Sequence, residues 1–91
     1  GPDLPQIDAT AYSVTSQGYS VLEKRNIYLT CQASSNPPSR YIWFYNNSEI
    51  YTGPQLTITN ILRADTGCYA CLAQNTYLNT LSKKNITLTV Y

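Results

Sequence analysis

Polar and apolar residues alternate with period two in short runs broken by turn-forming residues, the pattern of half-buried strands. Over residues 26–31, Ile27, Leu29 and Cys31 share one face. Over residues 41–45, Tyr41, Trp43 and Tyr45 share a face, with Ile42 and Phe44 opposite them. A short strand holds Glu49, Ile50 and Tyr51, and Leu56 and Ile58 point inward from the next. Tyr69, Cys71 and Ala73 alternate inward in turn, and so do Ile86, Leu88 and Val90, with Asn85, Thr87 and Thr89 outside. Between these runs lie Ser34-Ser35-Asn36-Pro37-Pro38-Ser39, Asn46-Asn47-Ser48 and Gly53-Pro54. Proline lacks the ladder donor, and Asn and Gly accept tight turns, so each stretch ends a strand. No run has a helical apolar period long enough for α/β architecture; the chain is all-β, a sandwich or a barrel.

Three features narrow that choice. Cys31 lies at the end of an inward-alternating strand and Trp43 follows twelve positions on. Asp65-Thr66-Gly67-Cys68-Tyr69-Ala70-Cys71 then supplies Asp-x-Gly-x-Tyr-x-Cys. This set is similar to the pattern of immunoglobulin domains. The resemblance implies that Cys31 and Cys71 cross-link two sheets, that Trp43 packs on the sulfur pair, and that Tyr69 turns its hydroxyl back to upstream backbone. Asp65 would accept backbone N–H bonds in the turn, and Gly67 would permit its tight geometry. Two free thiols or a metal pair are the alternatives for the cysteines; a chain with three Cys and no His is poorly equipped for tetrahedral zinc. The stretch between Trp43 and Asp65 is too short for the extra strands of a variable-type domain. The expected fold is therefore an immunoglobulin-like β-sandwich of C2 type, strands A, B and E packed on C, C′, F and G.

Composition adds exclusions. Ninety-one residues make one small domain, expected over 1–91 with 1–5 as an interdomain linker. The opening Gly-Pro-Asp-Leu-Pro has no signal-peptide pattern, so the chain reads as a segment excised from a longer multidomain ectodomain. Six Lys or Arg against five Asp or Glu offer no basic stripe, which argues against nucleic acid. No apolar run approaches the roughly 18–20 residues needed to cross a bilayer, so this segment is not expected to insert. Without His, a hydrolase triad has no base, and Glu49 and Asp65 are expected too far apart for a carboxylate pair. No enzyme activity, cofactor or metal is expected.

At the level of family, residues 1–5, the stretch Ser34-Ser35-Asn36-Pro37-Pro38-Ser39-Arg40-Tyr41-Ile42-Trp43, Tyr69-Ala70-Cys71 and the closing Leu88-Thr89-Val90-Tyr91 resemble the C2-type repeats of the carcinoembryonic antigen family. The resemblance implies a glycosylated cell-surface adhesion protein, anchored elsewhere in its chain, or a secreted relative. It also implies that such repeats often serve as spacers. The chain departs from those repeats at Cys68, where they carry a small residue, and in sending Ile42 and Phe44 outward.

Asn46-Asn47-Ser48 and Asn85-Ile86-Thr87 are N-glycosylation sequons, one on a turn and one at an outward strand position, so N-linked glycans are expected on both. Strands C and F are neighbours in this fold, which should gather Ile42, Phe44, Ala70 and Leu72 on one outer face. Such a patch is either a contact surface for another protein, of the same family or a neighbouring domain, or a set of ordinary exposed apolar residues. Cys68 alternates outward, away from Cys31; it is either a half-shielded free thiol or a link between chains. Lys83 and Lys84 are expected in a solvated loop. The function expected is protein–protein contact within a cell-adhesion glycoprotein; a structural spacer and a module of a secreted glycoprotein are the competing readings.

Overall fold

A computed structural model describes residues 6–9, 13–15, 18–32, 40–75 and 80–91. The linker expected at 1–5 and the proline-bearing break at 34–39 lie outside the described residues. The strands are β1 (Gln6–Ala9), β2 (Ser13–Thr15), β3 (Gly18–Val21), β4 (Ile27–Gln32), β5 (Arg40–Tyr45), β6 (Ser48–Thr52), β7 (Gln55–Ile58), β8 (Gly67–Asn75) and β9 (Thr80–Val90), with one 3₁₀ turn at Arg63–Asp65. They form a three-stranded sheet in the order β1-β4-β7 and a six-stranded sheet in the order β2-β3-β9-β8-β5-β6. The fold is thus an immunoglobulin-like β-sandwich. β1, β4 and β7 take the places of A, B and E, while β5, β6, β8 and β9 take those of C, C′, F and G.

Two features go beyond the alternation pattern. β3 lies parallel to β9 and is flanked in turn by β2, so the second sheet gains an edge that the sequence did not reveal. β9 begins at Thr80, not at Asn85, because β8 offers it a partner along its whole length, from Asn75↔Thr80 to Gly67↔Leu88. Lys83 and Lys84, expected in a loop, therefore lie within a strand, where alternation sends them to opposite faces.

The core follows from period two. Ile27, Leu29 and Cys31 of β4 are fully buried, and Leu56 of β7 joins them. From the other sheet come Trp43, Tyr69, Cys71, Ile86, Leu88 and Val90, all in one cluster. Each large apolar side chain buried there contributes roughly 1.5–3 kcal/mol. The β5–β6 hairpin turns on Asn46 and Asn47, both left-handed (φ 46° and 71°), which suits the turn to the sheet's twist. Across that hairpin the register shifts between Trp43 and Phe44, so Trp43 faces Tyr51 while Phe44 faces Glu49.

Candidate functional site

The rigid frame comes first. Cys31 and Cys71 form a disulfide between β4 and β8, Cα atoms 6.4 Å apart, joining the two sheets. Trp43 is the inner-face neighbour of Cys71 across β5 and β8 and has no exposed surface. Its indole N–H donates to the carbonyl of Gly53 at 3.0 Å, so the ring's one polar group is satisfied where the chain passes between sheets. Tyr69 donates its hydroxyl to the Asp65 carbonyl at 2.6 Å. The Asp65 carboxylate in turn accepts the N–H of Leu62 at 2.8 Å, closing the 3₁₀ turn.

Gly67 serves that corner differently from expectation. Its backbone is not in the left-handed region. What it supplies is space: a Cβ there would come 2.8 Å from the Tyr45 ring and 2.7 Å from Asn46 Oδ1. Neither neighbour is free to retreat. The Tyr45 hydroxyl is shared between the carbonyls of Ala64 and Thr66, at 3.1 and 2.8 Å.

Burial first, and then the Asp65 carboxylate and Tyr45, push the Tyr69 phenol well above its ordinary range. The folded chain therefore keeps this proton at pH values where the unfolded chain, ionising near pH 10, begins to lose it. Stability from this corner is whole below about pH 10 and falls as pH rises above it. Urea midpoints measured from pH 9 to 11 are expected to drop, and Tyr69→Phe to flatten that drop while being less stable at pH 7. Equal slopes in the two proteins would disprove the assignment.

Outside the frame, the outer face of the six-stranded sheet gathers residues that are distant in sequence. Register sets them in rows. Thr52, Ile42, Leu72 and Lys83 form one; Glu49, Phe44, Ala70 and Asn85 form the next. Ile42, Phe44 and Leu72 are half-buried. Ala70, expected to be presented with them, is only 4% exposed although its side chain points outward, because its neighbours cover its methyl group. Lys83 holds its ammonium 5.3 Å from the centre of the Phe44 ring, a cation–π contact. Leu81, opposite Gln74 and 64% exposed, extends the apolar diagonal beyond Leu72. Leu81 escaped the sequence reading, which expects Lys83 in a solvated loop. Counting back by twos from Asn85 reaches both, provided that the strand is known to start at Thr80.

The sequons differ in surroundings. Asn85 is an exposed strand residue beside Ala70. Asn46, also exposed, is engaged with β8: its N–H donates to the Cys68 carbonyl at 2.8 Å, and its Oδ1 accepts the Cys68 N–H at 2.9 Å. Backbone and side chain together thus extend the β5–β8 ladder past its last residue pair. Cys68, opposite Thr87, is half-buried and its sulfur is in no disulfide.

An open cleft of about 430 Å³ lies between the edges of β6 and β7, lined by Tyr45, Ile50, Leu56, Ile58, Asp65 and Tyr69 among others. Asp65, the one acidic group among its described lining residues, is bound to the turn, and the rings of Tyr45 and Tyr69 meet tilted, their centres 4.9 Å apart. Among the described residues no group of three His, Cys, Asp or Glu could hold a metal ion. What the surface offers is contact chemistry: apolar side chains, one capping cation and hydrogen-bonding rims.

Comparison with known proteins agrees with the frame. The amphioxus IgVJ-C2 molecule superposes with a TM-score of 0.72 at 28% identity, over 97% of this chain and 45% of that one. Dpr11 IG1 bound to DIP-gamma IG+IG2 gives 0.72 at 26%, over 96% and 47%. The N-terminal four Ig domains of Dscam1 isoform 7.44 give 0.75 at 23%, over 96% and 20%. The chain thus spans between about a fifth and a half of the lengths of these structures. The sequence model described as immunoglobulin domain matches residues 5–75, taking in both bonded cysteines, Trp43 and the Asp65–Tyr69 corner. On that match and this geometry, the chain belongs to the immunoglobulin-domain family.

Proposed function

We propose that this domain is an extracellular protein-recognition module whose contact surface is the outer face of the six-stranded sheet. The observation that carries the reading is the diagonal of Phe44, Ile42, Leu72 and Leu81, apolar side chains pointing away from the core on a sheet with one capping cation. A large aromatic with aliphatic neighbours and a charged rim is the make-up of a contact hot spot. One similar structure is Dpr11 IG1 bound to DIP-gamma IG+IG2, a complex between Ig domains, which supports a partner of the same kind for this chain. The reading assigns no reaction, cofactor or nucleic acid to the domain.

The test uses a Cys68→Ser background, so that no interchain bond contributes, and chains made without carbohydrate. Self-association measured by sedimentation should weaken at least about tenfold on Phe44→Arg, because the contact would bury an unpaired charge. A monomer at every concentration, before and after the substitution, would refute self-contact and favour the spacer.

The finer reading is a glycoprotein of the cell surface or a secreted one, carrying N-glycans at Asn46 and Asn85. The disulfide suits an oxidising compartment, and both sequons sit at exposed positions, which supports it. Kinship with the carcinoembryonic antigen repeats is supported by the sequence stretches at 1–5, 34–43, 69–71 and 88–91. In such a protein Cys68 faces outward as a thiol available to a second chain.

A further inference from the structure

Two observations show where the Phe44 ring lies. Ala70, its outward neighbour on β8, is 4% exposed, so something covers its methyl group. Lys83, one strand further on, brings its ammonium within 5.3 Å of the ring centre. Phe44 and Lys83 therefore meet above β8, the strand that carries Ala70 between them. The residue directly beyond Ala70 in that row is Asn85, the exposed acceptor of the second sequon. Phe44 and Asn85 are two strand spacings apart, about 10 Å between backbones, and the phenyl ring closes much of that gap from one side. A sugar attached to Asn85 closes it from the other. A pyranose ring has a face of C–H groups that packs on an aromatic face, much as a cation does.

We propose that the carbohydrate on Asn85 is seated on Phe44, its first ring packed against the phenyl ring over Ala70. This rests on the extracellular glycoprotein reading. The sugar comes from a lipid-linked pyrophosphate donor. A bond forms from Asn85 Nδ2 to the anomeric carbon of the first N-acetylglucosamine as the bond from that carbon to the pyrophosphate oxygen breaks, and the amide loses one proton. Once seated, the sugar takes the place of the Lys83 ammonium on the ring and covers the aromatic centre of the contact face. Chains with and without carbohydrate at Asn85 then differ in whether that face can dock a protein.

The experiment compares wild type, Asn85→Gln, Phe44→Ala and the double variant, all secreted from mammalian cells, with occupancy of Asn85 read by intact mass. Trimming the wild-type glycan to its first N-acetylglucosamine is expected to leave Tm unchanged, whereas Asn85→Gln lowers it by about 4 °C, the shift of one ordinary contact in a domain this size. In the Phe44→Ala background, Asn85→Gln should change nothing. In NMR spectra the ring protons of that first sugar should be shifted upfield in wild type and return to ordinary values in Phe44→Ala. Asn85 found bare, or a Tm drop that is the same with and without Phe44, overturns the seat. Sedimentation separates this from the contact reading. If neither glycoform associates while the Phe44-dependent shifts persist, the contact reading falls and the seat stands. If both associate alike and the shifts ignore Phe44, the seat falls alone.

Discussion

Replacing Cys31 and Cys71 together with alanine is expected to lower the free energy of unfolding by about 4 kcal/mol, the chain-entropy value for a closed loop of this length. The bond spans 40 positions of a 91-residue chain, so it removes a large share of the unfolded ensemble. It also ties β4 to β8, and hence one sheet to the other. A small sandwich has a net stability of roughly 5–15 kcal/mol, so the loss takes about a quarter of it or more. The urea midpoint should fall sharply, and at 37 °C a measurable unfolded fraction is expected. Cys68 cannot substitute, since alternation along β8 puts it on the face opposite Tyr69 and Cys71. A midpoint shift equivalent to less than about 1 kcal/mol would show that the sheets hold together without the link.

Trp43→Ala is the second large effect, a loss of about 3–5 kcal/mol from the lost burial together with the cavity left behind. Trp43 has no exposed surface and sits beside Cys71 in the same inner row, so the void opens next to the disulfide. The Gly53 carbonyl also loses its indole donor, which adds about 1 kcal/mol. Trp43→Phe should recover part of the packing but not that hydrogen bond. Because tryptophan and disulfide touch, the triple variant should lose less than the two effects added together. Full additivity in denaturation curves would mean that the ring and the bridge stabilise the sandwich independently.

Those residues were legible in the sequence because their chemistry has few other uses at such spacings. A cysteine pair, one tryptophan between them and a tyrosine two before the second cysteine leave little freedom for the fold. Period two then assigned the inner faces of β4, β5, β8 and the latter half of β9. Register was not legible. Nothing in the sequence places Asn85 across Ala70 from Phe44, since that row depends on where β9 starts and on how β8 pairs on both sides. For the same reason Lys83 read as loop, although it caps an aromatic ring. Gly67 read as a backbone requirement, whereas its necessity lies in the side chains of Tyr45 and Asn46, which reach it from the end of β5 and the turn beyond. β3 escaped because its partner is the far end of the chain, joined by backbone bonds that leave no mark on side-chain alternation.

The parallel pairing of β3 with β9 also sets how the domain bears mechanical load. Tyr19, Ser20 and Val21 run alongside Leu88, Thr89 and Val90 in the same direction. Tension that enters the chain ahead of β3 and leaves it after β9 pulls these strands past one another lengthwise. Every hydrogen bond between them must stretch at once, as in a lap joint, whereas antiparallel neighbours pulled at adjacent ends come apart one bond at a time. Beyond Val21 and Val90 the clasp continues, with the N–H of Tyr91 donating to the Val21 carbonyl and that of Glu23 to the Tyr91 carbonyl, at 2.9 and 2.8 Å. The sandwich is thus reinforced along the line of its own chain, where a string of such domains under pull would need it.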